Sequence, residues 1–151
     1  MPNTIRLQGW SVTSSHGGRA TGTITLSVTG ETRSIEATGN GPVDALYGAT
    51  DRALESVLGW RPILDEYEIK AVSAGEDAQG QVVVRVHRST EEGRDAFVAT
   101  GHGLSTDIIE ASVAAYLSGA EKLQQEAIAR EAMLDEARSS GHSPEKVERL
   151  P

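Results

Sequence analysis

Apolar and polar residues alternate along short runs of this chain, and the runs come in threes. In residues 23–28, Ile24, Leu26 and Val28 point to one side and Thr23, Thr25 and Ser27 to the other, the period of a half-buried strand. Residues 5–13 alternate too, but apolar parity switches between Leu7 and Trp10 around Gly9, which predicts a β-bulge. Residues 33–38, with Ile35 and Ala37 inward, predict a third strand after a turn at Gly30 and Glu31. The same order then returns. Tyr67, Ile69 and Ala71 alternate, and Val72 breaks parity before a turn-rich stretch at 73–80. Val82, Val84 and Val86 follow, and residues 96–100 come after a charged loop around Gly93, where Glu91 and Glu92 read as a solvated hairpin tip.

Each set of strands leads into a helical pattern. For the first helix, Asn40 or Gly41 sits at the cap, Pro42 suits the first helical position, and Asp44 falls in the first turn, where the helix dipole favours an anion. Leu46, Ala49, Ala53 and Val57, widened by Leu54 and Leu58, give its apolar stripe, and Gly59 with Pro62 ends it. The second helix starts near Ser105 or Thr106, with Ile109, Val113, Tyr116 and Leu123 as its stripe. Its pattern runs on to about residue 138, longer than a globular helix usually does, and Gly119 is placed to bend or divide it. A turn-forming run at 139–144 stops it, and a frayed tail follows. Leu123, Ala127, Ile128 and Leu134 form a stripe in the extension that calls for a packing surface, on this chain or on a second one.

The two sets are copies of each other. Ala37-Thr38-Gly39-Asn40-Gly41 recurs, with one change, as Ala99-Thr100-Gly101-His102-Gly103, and Asp44 and Asp107 follow at similar distance. The expected fold is therefore α+β: two pseudo-repeated βββα units, about 4–60 and 64–123, with antiparallel sheets packed against helices. Together they make a domain of 1–123, and 124–151 is a C-terminal helical extension with a frayed tail.

Composition narrows the function. The 151 residues, 38% of them hydrophobic, bury a core but fall short of the ~200 residues or more of a (β/α)₈ barrel. No apolar stretch approaches ~18 residues, so no membrane span is expected, and cysteine chemistry is excluded because there is no Cys. Fourteen Lys and Arg against twenty-two Asp and Glu leave a net charge of −8, which repels nucleic-acid backbones and anionic lipid. His16, His87, His102 and His142 lack metal-ligand spacing, and no nucleophile–base set is discernible. No catalytic residue, metal or cofactor is expected.

The glycine turns remain. A dinucleotide loop is excluded, because the third Gly of G-x-G-x-x-G is missing and three strands precede the helix in place of a βαβ unit. One explanation of the glycines is a tight strand-to-helix turn that needs positive φ. The other is chemical: helix-start N–H groups attract a carboxylate, Asp44 or Asp107 could accept from an ammonium group, and small neighbours admit a ligand close to the backbone. A zwitterion fits that arrangement. For either Asp, a role within the helix's own first turn is an equal alternative.

Gly39-Asn40-Gly41-Pro42-Val43-Asp44-Ala45-Leu46-Tyr47, then Leu64-Asp65-Glu66-Tyr67, then 71–80 beginning Ala71-Val72-Ser73 closely resemble the C-terminal regulatory domain of 2-isopropylmalate synthases, the LeuA allosteric (dimerisation) domain. Ser105-Thr106-Asp107-Ile108-Ile109-Glu110-Ala111-Ser112 is similar to the family's second-half signature, and the resemblance covers about residues 5–123 in unbroken order. It implies a dimer of βββα pairs that binds a pathway end product, leucine here, or isoleucine as in the related citramalate synthases. It assigns the effector site to Gly39, Asn40, Gly41, Pro42, Asp44 and Ala45, with Thr106, Asp107 and Ile108 from the second motif. It also implies a cytoplasmic module, with a catalytic synthase chain as a possible partner. The family's catalytic barrel and its H-x-H metal motif are missing, so condensation of an acyl-CoA with a 2-oxo acid is not expected of this chain alone. His102 stands where the first motif has Asn, so the half-sites need not be equivalent. The rival expectation is a dimerisation scaffold that has lost its effector and recruits a partner through the C-terminal helix.

Overall fold

The computed structural model describes residues 4–71, 78–88 and 97–139. Most of the turn-rich stretch after Val72, the charged loop around Gly93 and the stop signal with its frayed tail lie outside the described residues. Among the described residues six nine-residue strands and two helices follow one another: β1 (Ile5–Thr13), β2 (Ala20–Val28), β3 (Glu31–Gly39), α1 (Pro42–Leu58), β4 (Ile63–Ala71), β5 (Gly80–Arg88), β6 (Phe97–Ser105) and α2 (Ile108–Ser139). The strands form two antiparallel meanders, β1-β2-β3 and β4-β5-β6. Two βββα units are therefore present in the order that the repeat predicts.

Local chemistry accounts for most of the boundaries. The register of β1 shifts between Leu7 and Gly9, where the parity switch places a bulge. Val28 pairs with Glu31, leaving Thr29 and Gly30 as a two-residue loop with φ of 49° and 88°, as type I′ hairpins require. The turn thus lies one residue earlier than the sequence implies. Pro42 opens α1 behind Gly41, and Gly59 closes it in the left-handed region at φ 79°, its N–H donating to the Glu55 carbonyl. The second helix departs from expectation. Neither Ser105 nor Thr106 caps it. Ser105 ends β6, and Asp107 caps α2 by accepting from the N–H groups of Ile109 (2.9 Å) and Glu110 (3.4 Å).

Burial ties the halves together. Ile24, Leu26 and Val28 of β2 meet Leu46, Ala49, Ala53 and Leu54 of α1, but Val113, Leu117 and Ala120 of α2 enter the same core. Val82, Val84 and Val86 of β5 meet Ala111, Ala115, Tyr116 and Leu123 of α2, joined by Tyr47 of α1. Each helix therefore fills part of the other unit's core, so neither unit buries its apolar face alone. Cover is unequal, however. Both helices touch β1, whereas neither packs over β4. Ile63, Leu64, Tyr67 and Ile69 stay exposed on β4, Ile69 by 53%.

The glycines at the β6–α2 contact have a different reason from the one the sequence offers. Among the described residues, positive φ at glycine occurs only at Gly17, Gly30 and Gly59. At Gly101 and Gly103 what is required is space: a Cβ would overlap the carbonyls of Ala115 and Ala111 respectively. Gly119 does not divide α2, which runs as one helix of 32 residues. A Cβ on it would lie 2.8 Å from Val86 Cγ2. Beyond Leu123, Ala127 and Ile128 are half-buried and line a cleft opposite Val57, Leu58 and Trp60. Arg130 lies over the Phe97 ring, 4.6 Å from its centroid. The extension therefore packs on its own chain that far, while Met133 and Leu134 are exposed.

Replacing Gly101 by Ala is expected to cost about 1–3 kcal/mol or more, because backbone must move to relieve the overlap. Gly9→Ala, where an added Cβ meets nothing within 4 Å, is the control. Urea unfolding of both variants measures the difference.

Candidate functional site

The two helix starts are built differently from similar sequence. At α1, Gly41 is extended (φ −154°, ψ 175°) and provides no side-chain cap. Pro42 has no N–H, so the first-turn donors are those of Val43 and Asp44, which no side chain caps. The Asp44 carboxylate turns back and accepts from the Asn40 N–H at 2.8 Å. Gly39 is pressed beneath this turn: a Cβ there would lie 2.6 Å from both Ala45 N and Asp44 Oδ2. Gly41 is the exception, since a Cβ on it meets nothing within 4 Å. Neither packing nor positive φ demands glycine there, and the uncapped turn stays open at that point.

At α2 the corresponding space is filled from within. Ser105 Oγ accepts from the Asp107 N–H at 3.0 Å, and the Asp107 carboxylate is spent on the helix's own first N–H groups. Thr106 and Asp107 are exposed, and Ile108 is half-buried against Gly80. Of the nine residues assigned to the effector site, Ala45 is fully buried and Gly39 is buried too. Asn40, Asp44, Thr106 and Asp107 face solvent. Val43 of α1 and Ile108 of α2 both pack on the cluster that holds Tyr47 and Ala111, and Tyr47 reaches the Ser112 carbonyl, so the two helices meet just beyond their first turns.

All three tyrosines of the chain meet behind these turns, a convergence that the sequence does not announce. Tyr47 stacks on Tyr116 with centroids 4.1 Å apart and planes at 15°, and Tyr67 approaches Tyr47 edge-on at 6.4 Å. Tyr47 donates to the Ser112 carbonyl at 2.6 Å, and Tyr67 Oη lies 2.6 Å from Ser112 Oγ, which donates to the Ile108 carbonyl. Tyr116 donates to Asp51 Oδ1 at 2.5 Å, with Arg61 at 3.5 Å from the other oxygen. Burial pushes the Tyr47 and Tyr116 phenols well above their ordinary range, so both stay neutral donors. Burial also raises Asp51 above the usual carboxylate range, opposed by the Tyr116 hydrogen bond and by Arg61.

No group of three or more His, Asp or Glu side chains gathers as a metal site among the described residues. His87 pairs with Asp65, Nδ1 lying 2.8 Å from Oδ2. No described helix is long and apolar enough to cross a membrane.

Residues 1–124 match the family described as the LeuA allosteric (dimerisation) domain. The 2-isopropylmalate synthase of Carboxydothermus hydrogenoformans is 40% identical over 123 residues, covering 82% of this chain and 22% of that protein. The synthase of Clostridium kluyveri is 33% identical over 131 residues, 87% and 24% of the respective lengths. That of Pyrococcus furiosus is 45% identical over 86 residues, 57% and 15%. The aligned part thus makes up less than a quarter of each of these relatives.

Two measurements test the site's construction. Asp107→Ala, which removes the cap, should lower stability by about 1 kcal/mol, and Asp107→Ser should recover most of it. Because Asp51 is raised in the fold, the native state holds a proton more readily than the unfolded chain does. Stability therefore falls as pH rises from about 4, the ordinary Asp value, through the raised one. Asp51→Asn should consequently gain on wild type between pH 4 and pH 7 in denaturant titrations.

Proposed function

The chain belongs to the LeuA allosteric (dimerisation) domain family, and on that footing we propose that it is an amino-acid-binding regulatory module of leucine biosynthesis. The effector is leucine, with isoleucine as the alternative. The observation that carries this reading is the start of α1: uncapped donors, an exposed Asp44 and open space at a glycine that the fold does not otherwise need. The effector's carboxylate lies on the helix-start N–H groups, with Gly39, Asn40, Gly41, Pro42 and Ala45 forming the turn. Its ammonium group faces Asp44. Thr106, Asp107 and Ile108 border the site from the second motif, where Asp107 acts by holding the helix start in place. The aliphatic side chain lies against apolar residues near the two helix starts.

The module works as a homodimer, and the exposed Leu64, Tyr67 and Ile69 of β4 are the surface a second copy covers. It corresponds to a small part of its relatives, and it has no catalytic activity on its own. It serves a catalytic synthase, in the same chain or a separate one, in the cytoplasm. Residues 1–123 make up the module and 124–151 its extension. Control requires that leucine bind two arrangements of the dimer unequally, since equal affinity would shift nothing. The second reading is a dimerisation scaffold without effector. It is favoured by the engagement of Asp107 in capping, and the exposed Met133 and Leu134 would then recruit its partner.

Calorimetric titration of leucine, isoleucine and valine, with light scattering for assembly, separates the two. Leucine binding to a dimer is expected. Gly41→Ser should change unfolding free energy by less than about 1 kcal/mol while weakening leucine at least about tenfold, or 1.4 kcal/mol. A dimer that gives no heat with any of the three amino acids leaves the scaffold.

A further inference from the structure

The cleft between the end of α1 and the extension of α2 holds two opposite charges that do not meet. It has a volume of about 260 Å³, and Val57, Leu58, Trp60, Arg88, Gln124 and Glu131 border it. At ~30 Å³ for each water molecule, that is room for a solute the size of an amino acid. Arg88 ends β5 opposite Phe97 of β6. Its guanidinium lies over the Trp60 ring, 4.9 Å from the centroid, and 5.8 Å from that of Phe97. Stacking on an aromatic face leaves the N–H edge of a guanidinium free to donate, and Arg88 has no ion pair with a described residue.

Glu131 borders the same cleft from α2 and is likewise unpaired among the described residues. The charges around it on the helix pair with each other, Arg130 with Glu126 at 3.8 Å and Arg138 with Asp135 at 3.5 Å. The last turn of α1 carries no basic side chain, so the carbonyl end of that helix adds negative potential to the cleft. A simple anion would gain Arg88 and be repelled by Glu131, and a simple cation would meet the reverse. A molecule with both charges satisfies the two side chains at once.

We propose that this cleft is a second ligand site, for a small α-amino acid. The ligand's carboxylate accepts from the Arg88 guanidinium and from Gln124 Nε2, and its ammonium group donates to Glu131. The site lies at the other end of α1 from Gly41, about 25 Å along the helix, and does not depend on the effector reading above. Ala127, Ile128 and Glu131 line it from beyond residue 124, where the family match ends. It is therefore a property of the extension of this chain.

An NMR titration of the whole chain with alanine, read at the Trp60 indole N–H and the Gln124 side-chain amide, tests the site. Saturable shifts are expected at both reporters, with acetate and methylammonium, which carry one charge each, binding at least about tenfold more weakly. Arg88→Gln and Glu131→Gln should each weaken alanine by about tenfold, and Glu131 is exposed, so its exchange leaves the fold intact. Gly41→Ser, at a distant site, should leave alanine within about twofold of wild type. No saturable shift with alanine, acetate binding as tightly as alanine, or unchanged affinity in Glu131→Gln each overturns the proposal. The helix-start site is untouched by those outcomes, since calorimetry with leucine tests it separately.

Discussion

The closeness of α2 to β6 is the constraint on which the rest of the structure depends. Gly101 and Gly103 lie so near the Ala115 and Ala111 carbonyls that no side chain fits between strand and helix, and Gly119 meets Val86 on the same seam. Burial of apolar surface drives the two together, but it is the missing side chains that set the separation. At this depth the far side of α2 reaches the other unit. Tyr116 meets Asp51, Glu121 meets Thr4, and Leu117 enters the first core. A helix lifted by one methyl group would strain all three contacts at once.

Duplication followed by divergence describes how the two halves differ. The α1 start is left open by Gly41, whereas Asp107 closes the α2 start. One outer strand, β1, lies beneath both helices, whereas its counterpart β4 reaches them through Tyr67. One helix stops at Gly59, while the other continues well past the equivalent point. Each difference removes a symmetry that a pair of identical units would have. Of the two helix starts, only that of α1 is left without a side-chain cap.

Much of this was legible in the sequence, and the exceptions are instructive. The bulge at Gly9, the proline that opens α1 and the left-handed glycine that ends it all follow from short-range sterics. A second bulge, between Leu64 and Glu66, was not foreseen, because the strand was expected only from Tyr67. The β2–β3 turn was misplaced by one residue, since Thr29 disfavours positive φ and strand pairing overrules that preference. The motifs name candidate residues without saying what each of them does. Asp107 was readable equally as ligand contact or as cap, and its geometry is that of a cap.

By itself the sequence determined the two βββα units, the positions of their helices and the small-residue turns that precede them. Each of these depends on periodicity and on neighbours a few residues away. Only the tertiary structure decided which glycines serve packing and which leaves room, that the two helices meet just beyond their first turns, and that three tyrosines converge there. It alone placed Glu121 on a residue 117 positions distant and Tyr47 on one 65 away. Such contacts are set by how far apart packed elements come to rest, and no local pattern records that distance.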